Sequence, residues 1–250
     1  MAIDLNADMG ESFGMYQMGN DEAFMKYITS ANVACGFHAG DSTVMMKTVG
    51  LAKQYGVEVG AHPGLPDLQG FGRREMNLSP EEIYSDVVYQ VGALKAFVEA
   101  AGMRLHHVKP HGSLYGMVHR REDVADAVCR AVRDIDPKLY LYLMKKGVAG
   151  EVGQGMGLRV IHELYADLGY DAQGGLVITR HHEAHNPDFV SARVVRMVKD
   201  GKVEATDGTE ISIEGTSVCC HGDTPDAVPL VRAVRQGLEE AGYSLASPAL

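Results

Sequence analysis

Four short stretches end an apolar run on a histidine and place glycine one or two residues later: ACGFHAGDS (Ala34 to Ser42), VGAHPGLP (Val59 to Pro66), VKPHGSLYG (Val108 to Gly116) and VCCHGDTP (Val218 to Pro225). Imidazole is the side chain best suited to proton transfer near neutral pH and to holding a transition metal. A single histidine before glycine is an ordinary turn residue. Four of them, His38, His62, His111 and His221, at one kind of strand-to-helix junction point to a shared site. Glycine at such a junction lets the chain turn sharply and lets a ligand come close.

The first segment adds carboxylates. DLNADMGESFG carries Asp4, Asn6, Asp8 and Glu11, and the side-chain period of a strand puts Asp4, Asn6 and Asp8 on one face. Carboxylates aimed into an interior are costly unless they bind something. Asp8 and Glu11 are therefore candidates for acid/base work or for holding a cation. In GFGRR, Arg73 and Arg74 could clamp a carboxylate or phosphate. Lys109 stands in an apolar run before Pro110 and His111, where an unpaired ammonium would be expensive, and so reads as functional. Asp41 and the Asp223-Thr224 pair also suit helix caps.

These residues need elements that bring them together. AIDLNAD, ANVACGF, VEVGAH, LHHVKPH, KLYLYLM, LRVIHELYA and TSVCCH read as strands, and their continuous apolarity suggests a parallel sheet buried on both faces. Between them SPEEIYSDVVYQVGALKAFVEAAG reads as a helix: Ser79 caps it, Pro80 opens it, Glu82 completes a capping box and Gly102 stops it. Ile83, Val87, Val91, Leu94 and Val98 form its apolar stripe. DSTVMMKTVGLAKQYG is a second helix between Asp41 and Gly56. TPDAVPLVRAVRQGLEEAG is the last, with Thr224 as cap and Pro225 just inside. Two Asp-Gly steps in KDGKVEATDGTEIS predict a β-hairpin insertion around residues 199–214. One α/β domain over residues 1–250 follows, a seven-stranded β/α barrel with an open doubly wound sheet as the alternative. In either, residues at the carboxyl ends of the strands gather at one mouth.

Composition excludes several classes. A chain of 250 residues with a formal net charge of -10 and no Lys/Arg cluster is not built to neutralise a phosphate backbone, so no nucleic acid is expected. MAIDLNADMGE lacks a basic segment leading into an apolar one, and no run approaches a membrane span, so no membrane is expected and a cytoplasmic location is. Cys35, Cys129, Cys219 and Cys220 make no CxxC pair and read as buried free thiols. GEVGQGMG is not GxGxxG after a strand, and no GxxxxGK[ST] occurs, so no standard nucleotide motif is present.

DLNADMGESFG, ANVACGFHAGDS, GAHPGLPDLQGFGRR, VKPHGSLYG and CCHGDTPDA, in this order, resemble the LamB/YcsF family, the A subunits of 5-oxoprolinase. The resemblance covers nearly the whole chain and implies a seven-stranded β/α barrel of the glycoside hydrolase and deacetylase type. It implies a hydrolase that opens 5-oxo-L-proline, a cyclic amide, to L-glutamate. ATP would be the co-substrate, with Mg2+, and subunits B and C the partners; a homo-oligomer is a further expectation. Carried over by motif, the implied catalytic positions are Asp8, Glu11, His62, Lys109 and His111. The implied substrate-binding positions are Asn6, His38, Asp41, Arg73 and His221. Arg73 or Lys109 would clamp the substrate carboxylate, Lys109 would stabilise phosphoryl oxygens, and Asp8 with His62 or His111 would serve as base. The sequence departs from the family pattern at Leu168, at Gly116 and in the loop holding His181, His182 and His185, which bears on the lactam accepted. Two other classes fit the residues: a deacetylase-like hydrolase acting alone, with Asp8, His38 and His62 on a metal, and a non-catalytic subunit that binds substrate.

Overall fold

A computed structural model describes residues 2–177, 185–223 and 226–250. His181, His182, Thr224 and Pro225 lie outside the described residues. The chain opens with β1 (Ala2–Met9), α1 (Asp21–Met25), β2 (Ser30–Ala34), α2 (Ser42–Tyr55), β3 (Glu58–His62) and α3 (Pro80–Ala100). The alternation continues through β4 (His107–Val108), α4 (Gly112–Arg120), α5 (Glu122–Ile135), β5 (Tyr140–Leu143), α6 (Ala149–Gly155) and β6 (Arg159–Tyr165). Two small antiparallel ribbons follow: β7 (Gly169–Tyr170) with β8 (Leu176–Val177), then, after α7 (Pro187–Asp200), β9 (Lys202–Glu204) with β10 (Glu210–Ser212). β11 (Ser217–His221), α8 (Ala227–Glu240) and β12 (Ser244–Leu245) complete the order.

β1 to β6 pair in sequence, all parallel, and β11 bonds to both β6 and β1, so seven strands close into a barrel. The open doubly wound alternative is excluded by that closure. β12 adds to β1 at Ala2 and Ile3. Strand alternation sorts β1 into two faces. Ile3, Leu5, Ala7 and Met9 join the apolar shell under the helices. Asp4, Asn6 and Asp8 point into the barrel, where Asp4 accepts from Ser30 and Ser217, and Asn6 donates to Ser217. The barrel axis is therefore polar and hydrogen-bonded, as buried polar groups must be.

Local signals explain the helices. Ser79 and Glu82 form the capping box of α3, and its stripe from Ile83 to Val98 is buried. Asp41 caps α2 by accepting from Thr43 and Val44, and Gly56 ends it with φ 68. The last helix starts later than its sequence suggests. α8 begins at Ala227 behind Asp226, which takes a left-handed φ of 57 and makes no side-chain cap. The hairpin is β9–β10, turning at Asp207-Gly208, whereas Asp200-Gly201 terminates α7. All four cysteines are free and buried. No helix among the described residues is long and apolar enough to cross a membrane.

Candidate active site

Parallel closure carries the junction residues to one end of the barrel. His62 ends β3, His221 ends β11 in register with Asp8 of β1, and Lys109 and His111 follow β4 directly. His38 comes from the loop after β2 and stacks on His111, ring centroids 3.7 Å apart, with His62 edge-on to both. The expected convergence of His38, His62 and His111 is observed.

Lys109 is 2 % exposed yet fully partnered. Its ammonium donates to Asp8 Oδ1 at 3.1 Å and to Cys219 Sγ at 3.0 Å, and lies 3.3 Å from Glu163 Oε2. The expense of an unpaired ammonium is avoided, because two carboxylates hold it. Asp8 also accepts from Asn32 at 2.8 Å, and its Oδ2 stands 3.2 Å from His62 Nε2 and 3.7 Å from His221 Nε2. His221 is anchored from behind by Asp167, 2.8 Å from its Nδ1. At the rim Arg73 pairs with Asp223 at 2.8 Å.

Burial and charge set the protonation states. Desolvation works against the Asp8 carboxylate, but the charges of His62 and Lys109 prevail and hold it well below the usual carboxylate range. Desolvation likewise opposes the Lys109 ammonium, and the Asp8 charge outweighs it, so the group stays charged well above the ordinary lysine range. Burial, with the charge of Asp8, pushes the Glu11 carboxyl well up. Burial pulls the His38 and His111 rings well below the usual imidazole range. His221 goes the other way: burial lowers it, and Asp167 more than restores it.

A cavity of about 40 Å³ sits in the barrel mouth, lined by Asp8, Arg73, Lys109, His111, Tyr165 and His221. It is far smaller than the roughly 300 Å³ at the low end of pockets for drug-sized ligands. Leu168, one of the departures from the family pattern, lines it too. Gly116, another, lies in α4 against Arg120. A larger cavity of about 600 Å³, between the loop after β5, β6, the β7–β8 turn and the β9–β10 hairpin, includes Glu163 but none of these histidines.

Some expected positions fall elsewhere. Asp41 does not join the cluster: its oxygens accept from the backbone of Gly14, Thr43 and Val44. Asn6 lies beneath the cavity, bonded to Ser217, Asn32 and Glu163, with Oδ1 3.4 Å from the Lys109 ammonium. Arg74 turns away to Asp67. Glu11, His38 and His62 sit behind His111 rather than on the cavity wall. Asp8 and His62 of the donor trio meet at 3.2 Å, but among the described residues the trio with His38 does not form one group of converging donor atoms. The structure instead gathers Glu11, His38, His62 and His111, and separately Asp8, Cys219 and His221. Glu163, Cys219, Tyr165, Asp167 and Asp223 are site residues that sequence reasoning missed. The signal for Glu163 was a lone acid in the otherwise apolar end of RVIHELY.

The pattern of the LamB/YcsF family matches residues 3–249. The chain belongs to the LamB/YcsF family. Among relatives of this LamB/YcsF protein, the 5-oxoprolinase A subunit of Thermococcus onnurineus is 49 % identical over 247 residues, covering 98 % of this chain and 97 % of the relative. A lactam utilization protein from Thermus thermophilus superposes with a TM-score of 0.92 at 46 % identity, covering 99 % of this chain and 100 % of that one. A family 4 carbohydrate esterase from Streptomyces lividans shares the fold alone, with a TM-score of 0.53 at 11 % identity over 99 % of this chain and 92 % of that one.

Two glycines shape the LamB/YcsF histidine cluster. A Cβ on Gly64 would stand 2.6 Å from His38 Nδ1, and one on Gly72 would stand 2.8 Å from both His111 Cδ2 and His38 Cβ. Phe71 beside them holds a positive φ of 54 and presents its carbonyl to His111 Nε2 at 2.7 Å. Gly64→Ala is expected to lower stability by about 1–3 kcal/mol through overpacking. Gly92→Ala, on the exposed side of α3 with nothing within 4 Å, is expected to raise it by about 0.5–1 kcal/mol. Thermal unfolding of the two variants checks the contrast.

The Asp167–His221 pair gives a pH-dependent stability with a definite sign. His221 has a folded pKa above its unfolded value, so its contribution is fully present below about pH 6.5 and is lost as pH rises through the folded pKa. Asp167→Asn should cost about 1.5–3 kcal/mol on the acid side, as for a hydrogen bond to a charged group, and less above that transition. Thermal melts across the range, with the His221 ring followed by NMR, measure both effects.

Proposed function

We propose that this chain is the A subunit of a 5-oxoprolinase, opening 5-oxo-L-proline to L-glutamate with hydrolysis of ATP, with Mg2+ accompanying the nucleotide and subunits B and C completing the enzyme. The observation that carries the reading is the Lys109 ammonium buried between Asp8 and Glu163 on the floor of a barrel-mouth cavity. The names of its full-length relatives support it.

A lactam is resonance-stabilised, and transfer of phosphate to its oxygen makes the ring carbon open to water. Such a site needs positive charge against the oxygens of the transferred phosphoryl group, and Lys109 supplies it in a dry setting where it acts strongly. It needs an anchor for the substrate carboxylate, a role that suits the Arg73 guanidinium at the rim. It also needs a proton carrier poised near neutral pH. His221 fits this better than Asp8 does. Its Nδ1 faces Asp167, its ring lines the cavity, and its pKa is raised from the ordinary imidazole value, whereas a carboxylate held as low as Asp8 is a weak base. Asp8 then holds Lys109 charged and faces the working nitrogen of His221.

The test is reconstitution. The purified chain, alone and with subunits B and C, is assayed for release of both phosphate and glutamate from 5-oxo-L-proline and MgATP. Release of both only in the complete mixture is the expected result. Release by the chain alone would remove the dependence on partners, binding of 5-oxoproline without turnover in any mixture would leave a binding role only, and ATP-independent hydrolysis would favour the deacetylase-like reading.

A further inference from the structure

We propose that Glu11, His38, His62 and His111 form a binding site for one divalent transition-metal ion of the zinc class. One donor atom from each lies within 4.8 Å of every other. A single ion with bonds of about 2.0–2.2 Å reaches all of them after small side-chain movements. The inference concerns the same barrel mouth as the lactam reading but does not depend on it.

Hydrogen-bond logic leads to the ion. His62 Nδ1 is 2.7 Å from the Lys109 carbonyl, and His111 Nε2 is 2.7 Å from the Phe71 carbonyl. A carbonyl oxygen only accepts, so both of these nitrogens carry hydrogen. The remaining nitrogens, His62 Nε2 and His111 Nδ1, face each other at 3.0 Å, and His62 Nε2 also stands 3.2 Å from Asp8 Oδ2. Two lone pairs so placed repel, so the contact holds either a proton on His62, shared with Asp8, or a metal ion. A far nitrogen fixed on a carbonyl is also how metal-bound histidines are oriented.

Two more donors stand ready. Among the described residues, Glu11 Oε1 and both nitrogens of His38 are buried without a hydrogen-bond partner, in residues only 7 % and 1 % exposed. Glu11 Oε1 lies 3.4 Å from His38 Nε2 and 3.8 Å from His111 Nδ1. Around Glu11 the charges of Asp8, Asp223 and Asp21 outnumber that of Arg73, so the local field attracts a cation. Three imidazole nitrogens with one carboxylate oxygen suit zinc and its neighbours, while Mg2+ and Ca2+ favour oxygen donors. The second donor group is less suited: Lys109 takes both Asp8 and Cys219, and Asp167 takes His221.

The full chain, stripped with a chelator and shown by circular dichroism to remain folded, would be titrated with Zn2+ by calorimetry and with Co2+ by visible absorption. Expected are one saturable equivalent per chain, tetrahedral cobalt bands without a thiolate charge-transfer band, and a higher thermal midpoint. Glu11→Gln and His38→Asn, each checked for folding, should weaken binding at least as much as loss of an outer-shell partner does, about 10–100-fold. No saturable binding, binding indifferent to both changes, or a thiolate band abolished by Cys219→Ser would overturn the site. Ring opening by the complete enzyme, assayed on the same preparations, separates the two readings. Full activity in a chain that binds no metal overturns this inference alone, and metal bound without ring opening overturns the lactam reading alone.

Discussion

Lys109→Met in the complete enzyme is expected to lower ATP-dependent glutamate release by about 100- to 1000-fold, the loss seen when one preorganised donor to a developing oxyanion is removed. Methionine keeps roughly the length and the apolarity of the stem and removes the ammonium, with its charge and its bonds to Asp8 and Cys219. That charge does not stand alone, because Asp8 and Glu163 face it from 3.1 and 3.3 Å. Breaking a buried pair strands its partner, so the variant should also lose about 3–5 kcal/mol of stability. The two effects can be separated. Lys109→Met with Glu163→Gln leaves one stranded carboxylate fewer and should recover part of the stability without recovering the rate. Thermal unfolding and reconstituted turnover measure them independently, and a single variant that turns over at near the wild-type rate would show that the ammonium is structural.

The sequence carried the strands well because each is a short apolar run between turn residues, and parallel pairing then requires little more than their order. It carried the histidines because their shared junction is a local pattern. What it could not carry is pairing between distant residues. Asp167 supports His221 across 54 positions, Arg73 meets Asp223 across 150, and Lys109 finds Cys219 across 110. None of these has a local signature. Cys219 read as a buried free thiol, which it is; only closure of β11 onto β1 turns it toward an ammonium. Gly60 shows the same limit, since its missing side chain matters only because the His107 ring occupies that place, 2.1 Å from where a Cβ would stand. Asp41 shows a role that is local: the rule for helix caps describes its bonds to Thr43 and Val44, and only its bond to Gly14 needed the fold.

Asp8→Asn is the second large expected effect, a fall of about 100- to 10,000-fold in turnover, the range spanned by losing general acid/base catalysis, here through His221, whose charged form Asp8 supports. The argument rests on what Asp8 touches. Its Oδ1 accepts from Lys109 and Asn32, and its Oδ2 faces the Nε2 atoms of His62 and His221. Asparagine preserves the shape and one acceptor oxygen, and Lys109 keeps Glu163, so the fold should survive better than in Lys109→Met. What is lost is the negative charge that holds Lys109 charged and raises His221. The His221 titration should therefore move down, carrying one limb of the pH profile with it. NMR of the His221 ring beside pH-dependent turnover tests the coupling. If turnover falls while the His221 titration stays in place, Asp8 acts on the substrate directly, and His221 is not the proton carrier it sets.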